Sequence, residues 1–387
     1  MRPTLFALHR PWRLAALALA VALTACGGGD DDTPATTPVA KPTTTRLVVI
    51  GDSLADAGTF GLKFTIQVND IYPERVAAAF GLAKGCNAFV FTGTTFTANS
   101  TAGCSNYAIG SGIINPASGS LTATDPRGLA VQFAAATATA SFGSGDTLLV
   151  DGGGNDAAAL VSAYLQAATD GGTAYLALLG SLLTADQVKT AAAGGATGLA
   201  GAGTTYMTAL ADRFHAMITS GALDKGAQRV AVLNMPGITN TPRFQTVLAA
   251  IGAAQGATAR AQSEALFKGW VQAYNARLAS LVAGNAKIAL VDFHTELDAQ
   301  IAQPASYGLT NVTTPACPVT GTGTDGLPSY TFATCTDAAL AASPPAGASG
   351  SDWYKRYAFS DGFHPTPYGH ELMTEMVRKA LVKAGWL

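Results

Sequence analysis

Charge is scarce in this sequence of 387 residues: Asp, Glu, Lys and Arg together make up 12%. Typical soluble domains carry about twice that. The shortage, with abundant Gly and Ala, suits an exported protein built from small-residue helices and polar loops. No basic run occurs, so a nucleic-acid partner is not expected. The net charge is −2; without Arg2, Arg10 and Arg13 the 23 basic side chains fall to 20 against 25 acidic ones, or −5. Cysteine is also sparse, at five residues. None falls in a Cys-x-x-Cys or His/Cys cluster with zinc spacing, so no metal is expected, and the chemistry read below needs no organic cofactor. The apolar run Leu14 to Leu23 is too short to remain as a membrane-spanning anchor.

That run reads instead as the core of an export signal. Arg2, His9, Arg10 and Arg13 precede it, and Leu23-Thr24-Ala25-Cys26 ends it. The four residues resemble a bacterial lipobox, which implies cleavage after Ala25 and acylation of Cys26. Two or more acyl chains would anchor the protein stably. Gly27, rather than Asp, after the cysteine resembles lipoproteins sorted to the outer membrane, facing periplasm or cell surface. Residues 1–25 are therefore expected to be a signal, 26–45 a flexible tether of Gly, Asp, Thr and Pro, and 46–387 one folded domain, most simply a monomer.

With Cys26 lipidated, four cysteines remain, an even count suited to an oxidising compartment. Three pairings are possible. Cys86 with Cys104 and Cys317 with Cys335 close the shortest loops and form the expected pair of disulfides.

From residue 46 onward, buried-strand runs alternate with helical stretches. The runs are Leu47–Ile50, Thr147–Val150, Arg229–Leu233 and Ile288–Val291. The helices are expected at Ile71–Phe80, Asp156–Thr169, Thr204–Ser220, Ala257–Val282 and Pro367–Lys383. This order predicts an α/β sandwich around a mostly parallel sheet. The Ala/Gly-rich stretch 157–203 reads as a helical insertion on the flank, and 304–350 as a long irregular loop.

Four blocks carry polar groups of catalytic type. Gly51-Asp52-Ser53-Leu54-Ala55-Asp56-Ala57-Gly58 follows the first strand, which delivers Ser53 to the carboxyl edge where open α/β sheets bind ligands. A helix starting after Ser53 would aim backbone N–H groups at an anion. Asn106-Tyr107-Ala108-Ile109-Gly110 forms the second block. Gly152-Gly153-Gly154-Asn155-Asp156 follows the second strand run; the Asn155 amide is a neutral donor suited to an oxyanion. Asp361-Gly362-Phe363-His364-Pro365-Thr366 can set a carboxylate against Nδ1 of the imidazole and leave Nε2 facing a serine.

In this order the blocks resemble the GDSL/SGNH hydrolases across most of 46–387. The resemblance implies a three-layer α/β/α, flavodoxin-like sandwich. It implies Ser53 as nucleophile, His364 as base and Asp361 as its orienting acid, with an oxyanion hole of Ser53, Gly110 and Asn155. Ser111 stands where the family repeats glycine, so Gly110 or Gly112 could align; Gly110 is the expected donor. The segment Leu233–Pro242 is similar to one in secreted bacterial members. Aromatics beside the blocks (Tyr107, Trp353, Tyr354, Tyr357, Phe359 and Phe363) suit an apolar acyl chain, so an acyl-ester or lipid substrate is expected. A sugar-deacetylating esterase and a non-catalytic binding lipoprotein are the alternatives. Cys26→Ser should release the protein from the membrane fraction with its soluble activity intact; a variant that stays in the membrane pellet would remove the lipobox reading.

Overall fold

The computed structural model describes residues 42–138 and 140–387. The signal segment, Cys26 and most of the expected tether lie outside those residues. The strands are β1 (Arg46–Ile50), β2 (Phe89–Phe91), β3 (Phe96–Ala98), β4 (Asp146–Val150), β5 (Val230–Leu233), β6 (Ile288–Val291), β7 (Gly321–Thr322) and β8 (Pro328–Ser329). The helices are α1 (Tyr72–Ala79), α2 (Leu129–Ala136), α3 (Gly154–Asp170), α4 (Thr173–Gly180), α5 (Ala185–Ala193) and α6 (Gly195–Gly221). They continue with α7 (Pro242–Gln255), α8 (Ala257–Val282), α9 (Phe293–Ala302), α10 (Asp337–Ala342) and α11 (Pro367–Lys383).

The four apolar runs form one parallel sheet in the order β1-β4-β5-β6. Side chains alternate between its faces, because successive residues of a strand point opposite ways. Val48, Ile50, Leu148, Val150, Val230 and Val232 pack toward α2, α3, α4, α6, α7 and α8. Leu47, Val49, Leu149, Ala231, Leu233 and Val291 pack toward α1, α9 and α11. Burial on both sides explains why the strands read as continuous apolar runs. The expected three-layer sandwich is therefore present. On the free edge of β1, residues 105–109 run alongside it: Val49 N–H donates to Ser105 O at 3.0 Å and Tyr107 N–H to Val49 O at 2.8 Å. The second sequence block thus arrives at the same sheet edge as the first.

The Ala/Gly-rich flank is helical, as expected, and covers one face. Its small residues let a large aromatic approach the backbone: the buried Trp270 of α8 donates its indole N–H to Ala200 O at 3.0 Å. Helix α6 begins nine residues before the expected Thr204. Cysteines pair locally, Cys86 with Cys104 and Cys317 with Cys335. The stretch 304–350 is more ordered than an irregular loop. It holds β7, β8 and α10, and it packs Ala316, Phe332 and Leu340 with Ile66 and Tyr354 around the second disulfide. Both disulfides span 18 residues; chain-entropy reasoning assigns a loop of that size about 3 kcal/mol. Replacing Cys317 and Cys335 by Ser should lower the unfolding free energy by roughly that amount in denaturant titrations. No change in the denaturation midpoint would show that this small core holds without its bridge.

Candidate active site

β1 ends at Ile50, and Gly51 begins the turn that carries Ser53. A Cβ on Gly51 would lie 2.2 Å from Asp151 Oδ1, so only glycine fits. The buried Gln132 of α2 grips this turn from both sides, accepting from Gly51 N–H at 2.9 Å and donating to Gly51 O at 3.0 Å. Asp52 N–H donates to Asp151 Oδ1 at 2.9 Å, and Tyr72 O–H donates to Asp151 Oδ2 at 2.5 Å. No helix follows Ser53, contrary to expectation. Residues 52–55 form a tight turn closed by Ala55 N–H to Asp52 O at 3.1 Å. The buried Asp56 beyond it turns the chain again by accepting from Gly58 and Thr59, which leaves no room for helical bonding.

The last block comes from the far end of the chain. Thr366 caps α11, accepting from Gly369 N–H at 3.1 Å, and Pro367 opens the helix. Just before it, Asp361 accepts N–H from Phe363 at 2.8 Å and from His364 at 2.6 Å. Both Asp361 oxygens lie 2.9 Å from His364 Nδ1. His364 Nε2 lies 2.8 Å from Ser53 Oγ. A hydroxyl, an imidazole and a carboxylate thus stand in one line, 311 residues apart in sequence at its serine end. Burial pushes the Asp361 carboxyl up. The His364 imidazole and the two N–H donors outweigh it and hold the group below the ordinary aspartate range.

The third block opens α3. Asn155 is not the helix cap: the cap position is Gly153, and Asn155 lies inside the first turn. One Nδ2 proton goes to Gly112 O at 3.0 Å, leaving the second for a ligand. Its neighbour Asp156 is fully buried and accepts from Ile114 N–H, Asn115 N–H and Ser118 Oγ at 2.9, 2.9 and 2.8 Å. Burial raises this carboxyl to about 6.

Gly110 requires a correction. Its N–H donates to Asp56 Oδ2 at 2.9 Å, and Gly110 does not line the cavity around Ser53. Gly112 is no substitute, because its N–H goes to Ile109 O at 2.9 Å. The residue between them, Ser111, does line the cavity and holds a left-handed backbone with φ 64°. Among the described residues no acceptor takes the N–H of Ser111 or of Ser53. The signal for this exchange lay in Asp56, a carboxylate inside the first block that must find donors once buried.

A cavity of about 150 Å³ runs inward from Ser53, lined mainly by apolar side chains that include Leu233, Phe293, Leu297, Leu309, Leu372 and Met373. Of the aromatics singled out in the sequence, Phe359 and Phe363 line it; Trp353, Tyr354 and Tyr357 belong to the small core around the second disulfide. Two others, without any sequence signal, flank His364: Phe64 at 5.1 Å and Phe332 at 5.6 Å between ring centroids. His294 does not line this cavity.

The parallel sheet and its two helical layers are those of an SGNH-type hydrolase. Residues 47–377 match the model of the GDSL-like Lipase/Acylhydrolase family, and the chain belongs to that family. Hydrolysis of acyl esters is its general chemistry. No curated protein sequence matches the chain.

Behind this line, His370 of α11 is fully buried and stacks on Tyr72 with ring centroids 6.4 Å apart. Its Nδ1 accepts Tyr72 N–H at 3.3 Å, and its Nε2 has no partner among the described residues. Burial, reinforced by His364, Arg75 and Lys63, pushes it down to about 3. The folded value lies below the unfolded one of about 6.5. The contribution is therefore present above that pH and is lost as pH falls, at about 1.4 kcal/mol per unit. In His370→Phe, unfolding free energy should depend less steeply on pH, by about that slope between roughly pH 4 and 6. An unchanged slope would mean that His370 does not resist protonation.

Proposed function

We propose that this protein hydrolyses carboxylic esters of apolar acyl chains, with Ser53 as nucleophile. The observation that carries the reading is the unbroken contact Ser53–His364–Asp361 at the mouth of an apolar cavity. His364 Nε2 takes the Ser53 proton as Oγ attacks the ester carbonyl carbon. Asp361 orients the ring and stabilises the imidazolium through Nδ1–H. The charge on the carbonyl oxygen is met by three donors: the N–H of Ser53, the N–H of Ser111 and the free Nδ2 proton of Asn155. The imidazolium then protonates the departing alcohol. Water, activated by the same nitrogen, releases the acid from Ser53. The apolar cavity would take the acyl chain, which favours a lipase or carboxylesterase over a sugar deacetylase.

Localisation is part of this proposal. Acylation at Cys26 would hold the domain at the outer membrane, beside acyl lipids.

A chain-length series of p-nitrophenyl esters tests the substrate reading. Turnover efficiency should rise from acetyl to octanoyl esters; a strong preference for acetyl would overturn the acyl-chain reading. Ser53→Ala should lose activity and labelling by a fluorophosphonate. Asn155→Ala should lose about 10²–10³ in kcat. Ser111→Gly should stay near wild type, because the donor is a backbone N–H and glycine accepts the same left-handed φ. A large loss in Ser111→Gly would mean that the hydroxyl, not the amide, meets the substrate.

A further inference from the structure

Asp56 is fully buried, three residues from Ser53, and does not line the cavity. Among the described residues no Lys, Arg or His forms an ion pair with it. A buried carboxylate without a counter-ion is costly and persists only when hydrogen bonds satisfy it. Three backbone N–H groups do this, Gly58 at 2.9 Å and Thr59 at 2.7 Å on Oδ1 and Gly110 at 2.9 Å on Oδ2, and the Thr59 hydroxyl adds to them. Asp56 therefore joins the turn that bears Ser53 to the loop that bears Ser111.

The Ser111 conformation shows what this join does. A left-handed backbone is unfavourable for a non-glycine residue and persists only where the surroundings over-determine it. Both neighbours of Ser111 are fixed. On one side Asp56 holds Gly110 N–H, and the Gly110 backbone packs directly on Phe64, where a Cβ would lie 2.4 Å from the ring. On the other side Gly112 N–H is held by Ile109 O at 2.9 Å and Gly112 O by Asn155 Nδ2 at 3.0 Å. Between them, Ser111 lines the cavity, and among the described residues its N–H has no acceptor.

We propose that Asp56 is a positioning residue for ester hydrolysis: by gripping the Gly110 N–H it presents the Ser111 N–H to the oxyanion. This rests on the serine reading above. Asparagine cannot replace the carboxylate, because it offers one acceptor oxygen and turns an NH₂ toward N–H groups.

The test compares Asp56→Asn with wild type on p-nitrophenyl octanoate. The expected result is a fall in kcat of the order of 10², as for a lost oxyanion donor, with KM nearly unchanged. Affinity for an octyl trifluoromethyl ketone, which forms an oxyanion on Ser53, should fall by the same factor. Unchanged kcat, or a raised KM with normal kcat, would overturn the proposal. A measurement on the wild-type protein covers the case in which Asp56→Asn does not fold. On binding the ketone, the Ser111 amide proton should shift downfield, while the Gly110 amide should stay unmoved and protected from exchange. If the Gly110 amide shifts instead, Asp56 does not hold it. Turnover that survives in Ser53→Ala would remove the serine reading and this proposal with it. A silent Asp56→Asn in an enzyme that needs Ser53 removes the proposal alone.

Discussion

The site depends on buried carboxylates that take backbone N–H groups out of play. Three loops meet at the carboxyl edge of the sheet, and two of them are held by aspartates from the others. Asp151, following β4, takes the Asp52 amide; Asp56 takes the Gly110 amide; Asp156 takes those of Ile114 and Asn115. A loop amide buried without an acceptor would cost about as much as a broken hydrogen bond. Each aspartate removes that cost for the amides it reaches. Among the described residues the amides of Ser53 and Ser111 have no acceptor, and in the proposed mechanism they are the donors offered to the oxyanion. Electrostatics sets a limit on this arrangement. Burial raises Asp151 and Asp156 to about 6. Asp52 is pushed up by burial and by the charge of Asp151 beside it. One member of that pair therefore holds its proton more tightly than an ordinary carboxyl.

The sheet supplies what these loops require, a rigid edge. Its strands are covered on both faces, so a slip of one residue would exchange the two apolar sets; the register is strongly specified. β1 and β4, which lead into the first and third blocks, are neighbours paired over five residues. The remaining partner, His364, stands just before α11, a helix whose buried face packs in the layer with α1 and α9. Its approach is fixed by short bonds: Ser360 N–H to His364 O at 2.7 Å and Thr65 Oγ1 to Pro365 O at 2.9 Å. The histidine thus stands on a pinned turn rather than a free loop, which matches the demand of proton transfer for a fixed Nε2–Oγ distance.

Much of this was legible in the sequence, for identifiable reasons. Strands buried on both faces announce themselves as apolar runs, and all four were found within a residue of their ends. Helices α8 and α11 were legible from their period and, for α11, from Pro367 at its start. Ser53, Asn155, Asp361 and His364 were named from the blocks that resemble the family; Ser53, His364 and Asp361 stand in hydrogen-bonding contact, and Asn155 lines the same cavity as Ser53. The donor on the second block could not be named in this way. Whether Gly110, Ser111 or Gly112 keeps a free N–H is decided by where a buried carboxylate elsewhere finds its donors, and no local pattern records that. Phe64 and Phe332 were invisible for a similar reason, since contact with His364 depends on how two separate loops pack.

The low charge content bears on the same point. With few ion pairs to define tertiary contacts, the chain uses apolar layers for cohesion and a small number of buried aspartates for precision. Those aspartates contribute little net stability, because their desolvation offsets most of what their hydrogen bonds gain. Their value is geometric. Ser111 illustrates the division. Glycine would accept its backbone angle without strain, yet serine is tolerated because Gly110 and Gly112 on either side are already fixed by hydrogen bonds. The constraint that matters at that position is therefore not the side chain of residue 111 but the carboxylate of residue 56, and a substitution at the visible residue should matter less than one at the hidden one.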